Sequence, residues 1–300
     1  MKHLASRLFL STALMATGIH PALSDDHARD AGLAVILENR SAEDRARDSA
    51  RHPGETLAFF QVAPGMKVAE ALPGKGWYTR ILAPYLGKKG SIYGVNYSDS
   101  LWPMFSWATE DVIKKRVAAT GKFAGMAKDM AGQHAQAIGV DSSSVTPKAD
   151  GFTFNTVPPD VVGKVDRVLM VRALHNLARF EKDGGTLSQA LNAVRAMLKK
   201  DGMVGVVQHR LAESAPNEGA DGSRGYLKQS FVIEAFEKRG FKLVDKSEIN
   251  ANPKDKPGPE DIVWRLPPSL SGSKDKPDQR AAMEAIGESD RMTLLFKLAD

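Results

Sequence analysis

The sequence contains no cysteine, which excludes disulfide bonds, thiolate nucleophiles and zinc sites with cysteine ligands. Its seven histidines include no pair four residues apart beside an acid, the helical spacing typical of zinc-dependent hydrolases. The Gly-x-Ser-x-Gly turn that carries a nucleophilic serine is also absent. We therefore expect no metal site and no cysteine- or serine-based covalent catalysis.

Long apolar stretches are scarce, and the longest one near the start is too short to span a bilayer well. It covers residues 8–16, follows the basic residues Lys2 and Arg7, and precedes small residues around Ser24. This order is typical of a secretory signal peptide over residues 1–24, cleaved after Ser24 or nearby. We expect an exported, periplasmic protein with no membrane span in the mature chain; a retained N-terminal anchor is the alternative.

Dense basic patches are missing as well. The formal charge of +5 falls to +3 without residues 1–24, because Lys2 and Arg7 are lost and no acid is. No stripe of basic residues alternates with aromatics, so nothing favours nucleic acid as a partner. A small-molecule substrate is the expected partner, and the sequence does not determine the oligomeric state.

What is present is an alternation of apolar strands and amphipathic helices, in a chain with an ordinary hydrophobic share of 42%. After a helical segment at residues 25–60, this pattern fills a domain at residues 61–300. It predicts an α/β fold whose mostly parallel sheet has helices on both faces and an antiparallel closing strand, joined to the previous strand by a loop. The predicted strands are residues 66–72, 91–96, 152–156, 165–172, 203–209, 241–246 and 292–297; the main predicted helices are residues 77–86, 101–120, 187–198 and 230–239.

The first of these strands ends in Glu70-Ala71-Leu72-Pro73-Gly74-Lys75-Gly76, followed by a predicted helix. A tight Pro/Gly turn between strand and helix lets a ligand approach bare backbone, with helix N–H groups pointing toward it. An acid at the strand end can bind a ligand hydroxyl or a cation. The stretch therefore predicts a small-molecule site at this edge of the sheet.

These residues, with Arg51–Phe60, Pro64–Thr79, Ile81–Gly87, Arg172–Leu177 and Val206–Arg210, resemble class I S-adenosylmethionine-dependent methyltransferases. The resemblance is greatest to an exported, uncharacterised branch and covers roughly residues 41 to 300. It implies a Rossmann-like methyltransferase fold with a seven-stranded sheet. It also implies S-adenosylmethionine as the cofactor and an unknown, small-molecule methyl acceptor.

The resemblance assigns cofactor roles to residues that match the family's motifs. Glu70 matches the acid at the end of the first strand, and Gly74 and Gly76 match the second and third glycines of the loop. Leu72 stands where the first glycine is usual, and Pro73 is expected to make the turn in its place. Asn96 ends the second strand where the family has an acid that receives the ribose hydroxyls. The cofactor-binding set is completed by Tyr78, which can touch the ligand although packing is its more ordinary role.

Catalytic and acceptor residues are expected past the fourth and fifth strands. The resemblance places His175 and Asn176 opposite the transferred methyl group. A histidine near neutral pKa suits removal of the acceptor's proton, and the alternative is a packed, hydrogen-bonded side chain. His209 is the other catalytic candidate. The predicted acceptor-binding residues are Arg210, Arg224 and Tyr226, and the alternative for them is a solvated surface.

Charged residues at helical spacing precede the first strand. Arg45, Asp48, Arg51 and His52 recur every three to four residues. The favoured interpretation is ion pairing on an exposed helix. The alternative is functional: this helix would form a lid over the ligand.

Two other functions stay open at this point. An exported protein reaches a compartment where S-adenosylmethionine is not ordinarily made, and Leu72 and Asn96 depart from the family pattern. A methyltransferase fold kept as a binding protein without turnover reconciles these facts. A nicotinamide dehydrogenase is weaker, because Gly74-Lys75-Gly76 lacks the third glycine of that fingerprint.

Overall fold

The computed structural model describes residues 31–299. The predicted signal peptide lies outside the described residues. The described residues contain eight strands: β1 Lys67–Ala71, β2 Ser91–Asn96, β3 Lys148–Thr153, β4 Val165–Val171, β5 Leu198–Leu211, β6 Leu227–Lys228, β7 Phe241–Ser247 and β8 Arg291–Leu298.

Twelve helices are described, together with 3-10 helices at Asp99–Met104 and Val263–Arg265. They are α1 (residues 31–38), α2 Ala42–Arg45, α3 Asp48–Arg51, α4 Pro53–Phe59, α5 Thr79–Leu86, α6 Glu110–Ile138, α7 Ser142–Val145, α8 Leu174–Arg179, α9 Glu181–Gly184, α10 Thr186–Met197, α11 Gln229–Glu237 and α12 Pro277–Ile286. None of the helices within residues 31–299 is long and apolar enough to cross a membrane.

Seven strands form one sheet in the order β3-β2-β1-β4-β5-β8-β7, and the two-residue β6 pairs with the end of β5. The first five strands are parallel, and β8 runs antiparallel to both of its neighbours. The predicted fold class is confirmed: a Rossmann-like, mostly parallel sheet with an antiparallel closing strand. Strand order reverses between β1 and β4, the place where such sheets bind ligands at their carboxyl edge.

Alternate residues of each strand face two separate hydrophobic cores, which explains why the central strands are apolar throughout. Val68 and Leu169 pack with α4, α5 and α6, whereas Ala69 and Met170 pack with α8, α10 and α11. The segment before the sheet belongs to the first of these cores, because Phe60 is buried there.

Three local predictions are wrong. The helix expected at residues 101–120 is a short 3-10 turn containing Pro103, which lacks an amide donor, and α6 starts only after Thr109 caps it. The third strand ends at Thr153, where a turn to Thr156 bends the chain. The closing pair is separated by a helix, α12, which begins at Pro277.

Candidate functional site

A cavity of about 490 Å³ opens at the carboxyl edge of the sheet, at the strand-order reversal. Its walls come from the ends of β1, β2 and β4 and from the helix and turn that follow β2. Its size lies in the range of small-molecule sites, about 300–1,000 Å³. The lining residues predicted as site residues from the sequence are Pro73, Gly74, Asn96, His175 and Asn176.

The turn after β1 is made by Leu72 in the left-handed backbone region, with φ at 53°. This conformation costs a non-glycine residue about 1–2 kcal/mol. The Leu72 amide donates to Val95 O of the next strand at 2.8 Å, which holds the residue in place. Leu72 therefore adopts a left-handed backbone conformation of the kind that a glycine would take, and Pro73 O accepts a hydrogen bond from Gly76 N at 2.8 Å in the turn that follows.

The two glycines of this turn have different environments. Gly74 lines the cavity, and a Cβ atom there would meet only Leu72 O, at 3.8 Å. Gly76 instead lies under α6, where a Cβ atom would come within 2.5 Å of Met130 Cε. The missing side chain of Gly74 therefore leaves space for a ligand in the cavity, whereas the missing side chain of Gly76 allows α6 to pack closely against the turn.

Glu70 is buried, with 5% of its surface exposed, and it accepts a hydrogen bond from Thr79 Oγ1 at 2.6 Å. Burial raises the pKa of Glu70 to about 7, against the opposing effect of the Thr79 hydrogen bond. Its side chain is not part of the cavity wall. Tyr78, in the same core as α5, is also buried and away from the cavity.

Asn96 ends β2 on the cavity wall, and its side chain is already hydrogen-bonded to α6. The Asn96 amide donates to Thr120 Oγ1 at 3.1 Å and to Arg116 O at 3.4 Å, while Tyr97 N donates to Asn96 Oδ1 at 3.0 Å. α6 lies close because β2 has Gly94, where a Cβ atom would stand 2.3 Å from the Phe123 ring. A ligand hydroxyl at Asn96 must share or displace these bonds.

An aromatic wall lines the cavity in the segment after β2. It consists of Trp102, Phe105 and Trp107, whose successive rings have centroid distances of 5.9 Å and 5.0 Å and are tilted by 35° and 38°. Flat aromatic faces of this kind can hold a planar heterocycle. The sequence shows these residues, but only the bend at Pro103 turns them toward the sheet edge.

His175 lies on the cavity wall at the start of α8 and is buried. Its Nδ1 makes no hydrogen bond to the described residues. Burial lowers the pKa of His175 to about 4, and the positive charge of Arg172 contributes to the decrease. The ring is thus neutral at pH 7, and its buried Nδ1 has no partner among the described residues.

His209 lies behind His175 and does not line the cavity; the two ring centroids are 5.7 Å apart. Its Nδ1 is 2.6 Å from Ser289 Oγ. Burial, followed by the charge of His175 and nearby arginines, keeps the pKa of His209 well below its ordinary value. His209 therefore supports the wall and does not reach a ligand in this cavity.

The predicted acceptor residues lie elsewhere. Arg210 donates to Asp290 and Glu248 at 2.8 Å and 2.7 Å, and these carboxylates raise its pKa. Arg224 contacts Glu218 O at 3.3 Å in the loop after β5, outside the cavity wall. The remaining residue, Tyr226, is buried and donates to Asp255 at 3.0 Å.

The charged pattern before β1 does not form an exposed helix. Arg51 is 3% exposed and donates to Glu288, which is 237 residues away in the chain, and not to Asp48. Asp48 accepts from Arg40. Ion pairing at helical spacing is therefore wrong for Arg51, which belongs to a buried arginine cluster described below.

Within residues 31–299, no group of three histidine or acidic side chains is arranged to hold a metal ion.

Neither a protein-family model nor a curated protein matches this chain. Solved structures similar to it include a SAM-dependent methyltransferase from Aquifex aeolicus, with 14% identity over 73% of this chain and 93% of that one and a TM-score of 0.44. Geranyl diphosphate C-methyltransferase from Streptomyces coelicolor, solved with S-adenosyl-L-homocysteine, is 11% identical over 85% of this chain and 80% of its own, with a TM-score of 0.48. The [4+2]-cyclase SpnF is 13% identical over 83% and 80%, with a TM-score of 0.48. At these values the likeness concerns the fold alone.

Proposed function

We propose that this protein is an S-adenosylmethionine-dependent methyltransferase that acts on a small-molecule acceptor. The observation that carries the proposal is the cavity at the reversal of strand order, bounded by the glycine turn after β1 and the end of β2. Open α/β sheets bind nucleotide-like ligands at this point. The motifs that resemble the methyltransferase family thus border a cavity of suitable size.

The residues around the cavity fit the cofactor. Gly74 leaves space beside bare backbone, Asn96 presents an amide that can both donate and accept, and the aromatic wall suits the adenine ring. Glu70 does not touch the ligand in this proposal; its buried carboxyl group stabilises the turn by accepting a hydrogen bond from Thr79. When bound, S-adenosylmethionine supplies an electrophilic methyl group on its sulfonium.

The chain's own part in the reaction is to hold the acceptor and receive its proton. His175 is the side chain on the wall suited to this step, since its ring is neutral and Nδ1 has no partner among the described residues. With a pKa of about 4 it is a weak base, so it serves best an acceptor that loses its proton readily. Asn176, beside it, can orient the acceptor by hydrogen bonding.

The weak basicity of His175 also favours a second candidate, a binding protein without turnover. No carboxylate among the described residues hydrogen-bonds to His175 and raises its basicity. In that case the cavity would hold a ligand on a methyltransferase fold without chemistry.

Calorimetry with S-adenosylmethionine and S-adenosylhomocysteine tests the binding part of both candidates. We expect wild-type protein to bind both ligands and Gly74→Ala to bind them at least tenfold more weakly, because the new methyl group occupies cavity space. Gly163→Ala is the matched control: its φ of 67° resembles the 58° of Gly74, and no atom lies within 4 Å of a Cβ atom there. A folded wild-type protein that binds neither ligand at high micromolar concentration would contradict the methyltransferase proposal.

Native mass spectrometry of the purified protein separates the two candidates. Co-purified S-adenosylmethionine or its demethylated product supports a methyltransferase, whereas a different ligand supports the binding protein. Release of S-adenosylhomocysteine on incubation with candidate acceptors then establishes turnover.

We further propose that the protein is exported after removal of residues 1–24, on the strength of the N-terminal sequence pattern alone. N-terminal sequencing of the protein from the periplasmic fraction tests this. A mature chain that starts near Asp25 is expected, and an intact Met1 in the cytoplasm would contradict export.

A further inference from the structure

Arg172 is a cation on the cavity wall with no counter-ion of its own. It follows directly after β4 with φ at 57°, and its amide donates to Val207 O. Among residues 31–299, no hydrogen bond or ion pair reaches its guanidinium group. A half-buried arginine usually has such a partner, because desolvating an unpaired charge is costly.

Three further arginines stand behind it and share a single carboxylate. Glu288 is 2.6 Å from Arg47 Nη2, 3.2 Å from Arg51 Nε and 3.1 Å from Arg291 Nη1. With Arg172, this arginine cluster holds four cations and one anion. The next acid along the chain, Asp290, does not complete the neutralisation, because it is bonded to Arg210.

Donor groups in the cluster are left without partners. Arg51 Nη2 and Arg291 Nε are buried and make no hydrogen bond to the described residues, and both side chains are only 3% exposed. His175 lines the cavity, and its buried Nδ1 is equally unpartnered. Buried polar atoms in folded proteins usually have partners, so these atoms mark a region whose positive charge is not fully compensated.

The electrostatics agree with an excess of positive charge. Burial lowers the pKa of Arg172 to about 10, with Glu288 opposing and Arg291 and Arg47 adding to the decrease. Burial lowers the pKa of Arg51 to about 9, and the charge of Arg172 is the next largest cause. Arg172 and Arg51 are thus destabilised by neighbouring arginines, and an added anion would relieve this.

The buried charges of Arg51 and Arg291 add to the positive potential at Arg172. We infer that Arg172, on the cavity wall, binds one anionic oxygen group of a ligand, a carboxylate or a phosphate. Guanidinium groups bind both with charge-assisted hydrogen bonds. The anionic group has two possible sources: an anionic methyl acceptor, or the amino-acid carboxylate of the cofactor. Its identification as part of the acceptor rests on the proposed function, whereas the anion site itself does not.

The test uses the whole protein, with inorganic phosphate as the probe for the site. Wild type is compared with Arg172→Met, which keeps the apolar stem, and with Arg116→Met. Arg116 lines the same cavity but is exposed and lies over the Trp102 ring, outside the cluster, so it controls for the loss of one positive charge. Calorimetry in chloride buffer of constant ionic strength measures phosphate affinity.

We expect phosphate to bind wild type and Arg116→Met within about twofold of each other, and Arg172→Met roughly 10- to 100-fold more weakly. The melting temperature gives a second readout. Arg172→Met should melt at the same temperature as wild type or higher, because a buried repulsion is removed. Phosphate should raise the melting temperature of wild type and of Arg116→Met, but not that of Arg172→Met. A purely structural arginine would instead lower the melting temperature when replaced.

Two adenosyl ligands distinguish the sources of the anion. If Arg172→Met weakens S-adenosylhomocysteine but not 5′-methylthioadenosine, which lacks the amino-acid part, the site binds the cofactor's carboxylate. If neither is weakened while phosphate is, the anion belongs to the acceptor. Phosphate binding that depends on Arg172 without any binding of S-adenosylhomocysteine would leave the anion site standing and remove the proposed function.

The inference is overturned if wild type neither binds phosphate nor is stabilised by it relative to chloride, and Arg172→Met leaves S-adenosylhomocysteine affinity unchanged. It is also overturned if Arg116→Met and Arg172→Met weaken phosphate equally, since charge alone would then explain the loss. Should Arg172→Met fail to fold, Arg172→Lys and the phosphate-dependent melting of wild type decide the question.

Discussion

Glu70→Gln is expected to make the stability of this protein rise more steeply with pH than it does in wild type. Glu70 is sealed under the first turn of α5, bonded to Thr79 Oγ1. Glutamine keeps the shape of the side chain and can accept the same hydrogen bond, so the substitution removes little besides the titration. Any pH-dependent difference between the two proteins then reports the carboxyl group itself.

The magnitude follows from the raised pKa of Glu70, about 7 in the folded protein against 4.5 ordinarily. Between these pH values the folded state holds a proton that the unfolded state has released. The free energy of unfolding therefore falls as pH rises from about 4.5 to about 7. A difference of about 2.5 pKa units at 1.36 kcal/mol each makes the loss about 3 kcal/mol.

His175 acts in nearly the same pH window with the opposite sign. Its pKa falls from 6.5 to about 4 on folding, so the unfolded state binds a proton that the folded state excludes. The free energy of unfolding consequently rises by about 3 kcal/mol as pH increases from about 4 to 6.5. In wild type the fall from Glu70 opposes this rise. In Glu70→Gln the rise from His175, and from His209, whose pKa is also lowered by burial, is no longer opposed by Glu70.

Urea unfolding at intervals from pH 4.5 to 8 measures this, with the difference between variant and wild type taken at each pH. We expect the stability of Glu70→Gln relative to wild type to increase by about 3 kcal/mol from pH 4.5 to pH 8. Glu237→Gln is the control, because that exposed side chain makes no hydrogen bond or ion pair to the described residues. If the free energy of unfolding has the same pH dependence in Glu70→Gln and in wild type, the reasoning is refuted. In that case the Glu70 carboxylate would be solvated or tightly paired, and burial would not raise its pKa.

Further substitutions test packing around the cavity. Gly94→Ala should lower the free energy of unfolding by about 1–3 kcal/mol, because its Cβ atom meets the Phe123 ring. The control, Gly121→Ala on an open face of α6, should raise the free energy of unfolding by about 1 kcal/mol. If urea unfolding shows similar changes for the two variants, α6 does not pack closely against β2. Leu72→Gly relieves about 1–2 kcal/mol of backbone strain but adds chain flexibility and loses contacts, so stability should change by less than about 1 kcal/mol. It should also tighten S-adenosylhomocysteine binding in calorimetry, and unchanged or weaker affinity would show that Leu72 does not narrow the cavity. Tyr226→Phe should destabilise the protein by about 1–3 kcal/mol, because it removes a buried hydrogen bond to Asp255. Ligand affinities should stay unchanged, and weaker ligand binding would show that Tyr226 belongs to the ligand site.

The sequence predicted features that depend on neighbouring residues. Apolar runs between Gly and Pro turns located most strands, and the turn around Gly74 located one wall of the cavity. His175 and Asn176 followed from their place just after a buried strand, since parallel strands end at one edge. These predictions succeeded because periodicity and turn chemistry act over a few residues.

The tertiary structure decided which charges are left free. Arg210 and Tyr226 were predicted to bind the acceptor. In the structure, Arg210 is paired with Asp290, and Tyr226 donates a hydrogen bond to Asp255. Arg51 looked like a surface residue and is buried with Glu288, 237 residues further along. Such pairings depend on the strand order that brings the start of β8 beside the end of β5, and no local pattern encodes that order. The sequence alone therefore determined the fold class and the sheet edge at which the cavity lies, whereas only the assembled sheet left Arg172 as the unpaired cation of that edge among the described residues.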